Sequence, residues 1–405
     1  MSLATFDFGD LFIYSRNSTK WEMGPNGKFI EYPIGEPAYR HDISTGECLG
    51  FSVNEPVTTL NQSSLFSYSS GNFNTVDAAS LFEGKVAKRV ANVVSSPSAG
   101  AAYPVGPLPS RGATYVLIVE LLSTARVMFG FRDSDAPLWE AGFSFSTATE
   151  TLMREQGSNT DLTLGARKLT GVGPNGGPVY ELRMTLLSQT NAGNNLTGQH
   201  YPAYESDAFT DPRESIVHYA GITDSPYYSP PIWIDGSNVT RARDYCFIAP
   251  LLGANEYPRT LYLELVADDG AVGVSDSFHG GCGFINSDGS TISDRAWAGY
   301  RGAGTAVNAQ VVTPAVSTSQ MGSTFVPFGQ VLKACLGWND QIVAFCANGT
   351  YETQSSAAGI PGKNRRRLQV GHAITPSRTL NGLVKKIRVA NELWSQEKMI
   401  AETTG

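Results

Sequence analysis

The sequence predicts an all-β protein: two tandem β-sandwiches of jelly-roll type, with an extended N-terminal strap and one short C-terminal helix. Three observations carry that reading. The chain has 405 residues, more than one hydrophobic core ordinarily serves. Its composition sets 41% hydrophobic residues against only 17% charged ones and is rich in Gly (42), Phe (19) and Tyr (17). That mix suits short strands joined by tight turns rather than helical bundles. Short apolar or alternating stretches also recur along the chain, broken by turn formers about every 8–12 residues, with almost no helical periodicity.

Residues 1–57 read as the strap. Asn26-Gly27 lies between two apolar stretches and signals a hairpin turn, while Pro33, Pro37 and Pro56 keep the backbone extended. Such a segment cannot build its own core. It must lie along a domain or along another protein.

Residues 58–238 read as the first sandwich. Tyr115–Leu122 is nearly all apolar and predicts a strand buried on both faces. Val127–Arg132 and Ala141–Ser146 follow, with Phe143 and Phe145 on one face. Val179–Leu186 alternates, which turns Leu182, Met184 and Leu186 inward. Gly173–Pro178 is a turn, and Ile232–Ser237 closes the region. Residues 239–405 read as the second sandwich. Its strands include Leu261–Ala267, Gln341–Cys346 leading into an Asn348-Gly349 turn, and Leu383–Val389. The helix is expected at the end, with Ser395 as N-cap and Trp394 and Met399 spaced as a hydrophobic staple.

The formal net charge of −7 excludes the clustered cations that nucleic-acid binding needs. One basic run, Lys363–Arg367, reads as a solvated strand edge or loop. The start of the chain lacks the pattern of a signal peptide, and the strongest apolar run is too short to span a bilayer. Five cysteines fit neither a zinc nor a redox spacing; buried free thiols and folding in a reducing cytoplasm are expected.

No catalytic motif emerges. His279 beside Gly280-Gly281-Cys282 lacks the context of a Cys/His nucleophile. The pairs Asp133 with Asp135 and Asp268 with Asp269 could serve glycoside hydrolysis or hold calcium, but turn residues are the plainer reading. The chain is therefore read as non-enzymatic and without a cofactor. Glycan recognition favours exposed aromatics with polar neighbours, and two patches qualify. One is Trp297 with Tyr300; the other is Tyr227 with Tyr228, flanked by prolines. Core packing is the competing reading, because large aromatics are mostly buried.

The strap carries a formula. It runs Arg16-Asn17-Ser18-Thr19, Asn26-Gly27, Glu36-Pro37-Ala38-Tyr39-Arg40, Asp42-Ile43-Ser44-Thr45-Gly46-Glu47-Cys48-Leu49-Gly50 and Glu55-Pro56-Val57-Thr58-Thr59-Leu60-Asn61. This resembles the start of a group of bacteriophage virion proteins, often described as tail-fibre or structural proteins. The last triplet departs from their pattern, with Thr-Leu-Asn where they have Thr-Asn-Leu. Val239-Thr240-Arg241-Ala242-Arg243-Asp244 is similar to their joint between a carbohydrate-binding-module-like jelly roll and a concanavalin-A/laminin-G-like sandwich. Leu380–Leu383 and Leu393-Trp394-Ser395 resemble their last strand and closing helix.

The resemblance implies a virion structural protein, folded in the host cytoplasm and displayed on the virion surface. Its expected partners are other virion proteins, of the tail or baseplate or the major capsid protein, and a host polysaccharide. A trimer is the implied assembly. A tail-associated appendage leads; a capsid decoration or head-fibre protein is the alternative. No short internal repeat suggests the β-helix of a depolymerising tailspike, and no coiled coil suggests a shaft. The strap is expected to lie across the first jelly roll or to anchor the protein.

Overall fold

The computed structural model describes residues 3–5, 12–61, 63–65, 73–92, 101–122, 126–136, 138–201, 213–226, 228–248, 259–268, 278–285, 295–301, 306–313, 316–322, 324–339, 341–355, 367–371 and 379–405. The described chain is nearly all β, with one helix at Gln396–Thr404. Most of the basic run, residues 363–366, lies outside the described residues.

The first sandwich packs a five-stranded sheet on a six-stranded one, and all their pairings are antiparallel. The five-stranded sheet runs in the order 101–106, 196–201, 126–133, 138–146, 151–156. The six-stranded sheet runs 162–170, 179–186, 113–121, 213–223, 86–92, 73–79. Phe143, Phe145, Leu182, Met184 and Leu186 meet in the core between the sheets, as their alternation requires. Strand Ala113–Leu121 is buried along its whole length. Tyr115, Leu117, Val119 and Leu121 face that core. Val116 and Ile118 face the opposite way, into a second cluster with Trp21, Met23 and Phe29 from the strap.

The second sandwich packs an eight-stranded sheet on a seven-stranded one. The strap supplies strands to both. Phe12–Ser15 pairs with Tyr245–Ile248 at the edge of one sheet. Cys48–Val53 pairs with Gly382–Ala390 in the other, and Tyr39–His41 adds beyond it. Between these lies a separate hairpin, Lys20–Met23 with Phe29–Tyr32, turning through residues 24–28. Val57–Thr58 then pairs with Thr240–Arg241 at the joint. The strap is thus woven through the molecule: its hairpin covers the outer face of the first sandwich, and its other strands complete the second.

The predicted turn at Asn348-Gly349 has φ of 43° and 80°, the left-handed pair that a two-residue hairpin loop demands. Ile232–Ser237, which closes the first sandwich region, forms no regular strand. It runs extended with a single bridge, Asp235 to Ser63, because Pro230 and Pro231 precede it and its groups bond Ser64 instead. The helix begins where its capping pattern places it. Ser395 accepts the Lys398 amide, and both staple residues, Trp394 and Met399, are buried.

Two histidines are sealed inside the first sandwich. Burial pulls His200 down to about 3 and also lowers His218, although Glu120 opposes the shift at His218. Their folded values lie below the unfolded value near 6.5, so the unfolded chain takes up protons first. The stability they provide is complete above pH 6.5 and is lost as pH falls toward the folded values. Unfolding free energies from urea titrations should therefore fall from pH 6.5 to 5, by up to about 1.4 kcal/mol per pH unit for each histidine. His200→Leu should flatten that slope. Stability independent of pH over this window would refute the assignment.

Candidate functional site

The densest polar constellation lies where the strap meets the joint. Strand Lys20-Trp21-Glu22-Met23 is buried at all four positions. Alternation sends Trp21 and Met23 to the first sandwich and Lys20 and Glu22 to the other side. There Asp244, from the joint, forms the hub. Its Oδ2 accepts from Lys20 Nζ at 2.7 Å and from the Asn54 amide at 2.8 Å. Its Oδ1 accepts from the Tyr14 hydroxyl and, at 3.3 Å, from Arg16 Nη1. Lys20 also donates to the Ser52 carbonyl at 2.9 Å. Burial alone would raise the Asp244 carboxyl; Lys20, Arg16 and Arg241 outweigh it and hold the group below the usual range. Burial pulls Lys20 down to about 8 against the attraction of Asp244.

A second ion pair extends the junction. Arg40 grips Glu22 with two donors, at 2.9 and 3.2 Å, and reaches Asp268 of the second sandwich at 2.7 Å. Ser52 Oγ donates to Glu22 as well. Other formula residues are engaged as well. Arg16 donates to the carbonyls of Ser18, Tyr32 and Pro33. Ser18 Oγ accepts the Ala242 amide at 2.9 Å. Asp42 caps its own turn through the amides of Ser44 and Thr45, and hydrogen bonds lower its carboxyl to about 2. Gly46 sits at φ 72°, where a Cβ would stand 2.7 Å from the Pro25 carbonyl oxygen. Glu55 accepts the Thr379 amide, and its carbonyl accepts from Arg241 Nη2. Thr58 and Asp224 exchange backbone and side-chain bonds.

Three of the sequence's four glycan candidates, Trp297, Tyr300 and Tyr228, are buried. Trp297 is 2% exposed, and its ring rests over glycines; a Cβ at Gly281 or Gly299 would approach its Cζ2 to 2.6 or 2.8 Å. Tyr300 is 3% exposed in the core of the second sandwich. Tyr228 is 3% exposed and donates its hydroxyl to Glu181 at 3.0 Å. A sugar needs an open ring face, and these rings have none. Tyr227 lies outside the described residues. Trp139 retains part of its exposure. It stands on the outer face of the five-stranded sheet above Gly142, with its ring 5.8 Å from Tyr201, whose hydroxyl donates to Gln199. Sequence reasoning passed over Trp139 because nothing local distinguishes its face from the core face.

The acidic and nucleophilic candidates are also occupied. Asp133 Oδ1 accepts the amides of Asp135 and Ala136, and its Oδ2 accepts from Asn191 and Asn194. Asp135 accepts from Asn195. N–H donors surround both carboxylates, which gives calcium no oxygen cage there. Asp268 serves Arg40, and Asp269 lies outside the described residues. Cys282 is fully buried, and burial pushes its thiol up to about 12, the reverse of an activated nucleophile. Buried Glu120 and His218 form a pair 3.1 Å apart, but the second ring nitrogen accepts the Leu81 amide. That array pins loops and contacts no nucleophile among the described residues. No helix among those residues is long and apolar enough to cross a membrane.

No protein-family model matches the chain, and no curated protein matches it. Among solved structures it is similar to a Trypanosoma rangeli sialidase in complex with the inhibitor DANA, at 11% identity, covering 81% of this chain and 67% of that one with a TM-score of 0.24. A likeness at that score carries no argument about activity.

Removing the hub should uncouple the strap. Asp244→Ala would leave Lys20 and Arg16 buried without their carboxylate, and should cost about 3–5 kcal/mol in chemical denaturation. Proteolysis should then reach the 12–55 segment before either sandwich unfolds. A variant with unchanged stability and unchanged cleavage would show that the hub does not hold the strap.

Proposed function

We propose that this chain is a non-enzymatic structural protein of a bacteriophage virion, a tail-associated appendage that contacts host-surface glycans. The supporting observation is the fate of the strap formula. Several residues that carry the resemblance, Arg16, Ser18, Arg40, Glu55 and Asp244, help interlock strap, joint and second sandwich. The occupied acidic and thiol groups favour a binding or scaffolding role over hydrolysis. The protein would fold in the host cytoplasm and stand on the virion surface, and the resemblance favours a trimer. Glycan contact, if it uses an aromatic platform, falls to Trp139 on the outer face of the five-stranded sheet.

Gold-labelled antibody on intact particles tests the address. Label on the tail or baseplate is expected, and glycan-array binding should then weaken at least about tenfold in Trp139→Ala, the scale of losing one aromatic contact. Label over the head would replace the appendage with the capsid-decoration reading. Absence of label from particles would overturn both.

A further inference from the structure

The first sandwich has four sheet edges, and three carry devices that discourage pairing. Strand 101–106 holds Pro104 and a register shift. Strand 151–156 holds Arg154 and Glu155, and strand 162–170 holds Arg167 and Lys168. Lysine, proline, charge and bulges are the usual protections of an open edge. The fourth, Phe73–Ala79, has no lysine, proline or bulge. Its one charge, Asp77, is matched by Lys88 on the neighbouring strand. Positions 74 to 77 are exposed on both faces, Val76 by 56%. Among the described residues no segment pairs with its outer side.

The geometry fixes which backbone groups that side presents. Ala79 gives its N–H to Asn175 Oδ1 at 3.2 Å and takes Asn175 Nδ2 on its carbonyl at 2.9 Å. Its two groups therefore point away from Val86, its partner in the ladder. Alternation along an antiparallel strand then turns Phe73, Thr75 and Asp77 outward with it. Asn175 closes the edge at Ala79, so the open stretch is Phe73–Asp77, with Thr75 at its centre.

We infer that two copies of this chain pair antiparallel along this edge, about a twofold axis at Thr75. The stretch is self-complementary in that register. Thr75 meets its own copy, Phe73 meets the partner's Asp77, and Asn74 meets the partner's Val76. No like charges oppose each other, and threonine pairs are favourable across strands. Centring the axis on Val76 would bring Ala79 into the ladder and require Asn175 to leave. The contact is isologous and joins copies in pairs. It holds or fails independently of the virion reading and of the trimer that reading favours.

The test uses the full chain with exposed Cys48 replaced by Ser; the other four cysteines are buried. Sedimentation should show self-association that Thr75→Lys weakens at least about tenfold by opposing two charges. Thr75→Cys should form a disulfide-linked dimer on mild oxidation, since directly opposed residues lie within disulfide reach. Asp77→Cys should not, because its two copies would sit four residues apart along the strand, about 13 Å. A chain monomeric at every concentration reached overturns the inference. So does self-association indifferent to Thr75→Lys, or equal crosslinking at positions 75 and 77.

Discussion

The structure depends on one buried carboxylate. Asp244 has no exposed side-chain surface, and neither do Arg16 or Lys20, which share it. A charge in that setting is tolerable only when its partners are in place, since isolated burial costs several kcal/mol per ion. Those partners lie more than 220 residues away in sequence, on the strap. The hub can therefore form only when strap and joint are docked together. Its net contribution to stability is small, because desolvation offsets most of the attraction. Its effect is on what else can happen: a half-docked strap leaves cations or a carboxylate unpaired in the interior.

The driving force comes from the other face of the same strand. Trp21, Met23 and Phe29 pack with Leu81, Phe82, Val116, Ile118 and Tyr219, and remove apolar surface from water on both sides of the contact. A slip of one residue would carry Lys20 and Glu22 into that cluster and Trp21 against Asp244. Apolar burial supplies the energy, and the charges set the register. The same division explains why the second sandwich is not a contiguous stretch of chain. Residues 239–405 alone lack the strands 12–15, 39–41 and 48–53 that complete its two sheets.

Local rules reached the plainly alternating or wholly apolar strands and the helix. Val179–Leu186 and Leu261–Ala267 alternate plainly, and the capping of Ser395 is a matter of neighbours within four residues. The junction was less legible. Lys20-Trp21-Glu22-Met23 alternates as a strand should, yet charge on one face ordinarily means solvent, and only the distant Asp244 makes that face an interior. The burial of Trp297 was illegible for a related reason. Whether Trp297 is exposed depends on Gly281, Gly283 and Gly299 opening a bed for its ring across paired strands, and residue type alone cannot report that pairing. Trp139 is the converse, an aromatic whose ring lies over Gly142 on the side away from the core.

This bears on what the strap formula means. An anchor to another protein would keep its recognition groups available. Here Arg16, Arg40 and Glu55 are buried, and the polar groups of Ser18 and Thr58 bond within the chain. The buried members of the formula therefore help join the two sandwiches into one unit. The outer face beneath Trp139 and the open edge at Thr75 both belong to the first sandwich, and neither includes a residue bonded to Asp244. That separation lets the contact surfaces change without disturbing the buried charges on which the docked strap depends.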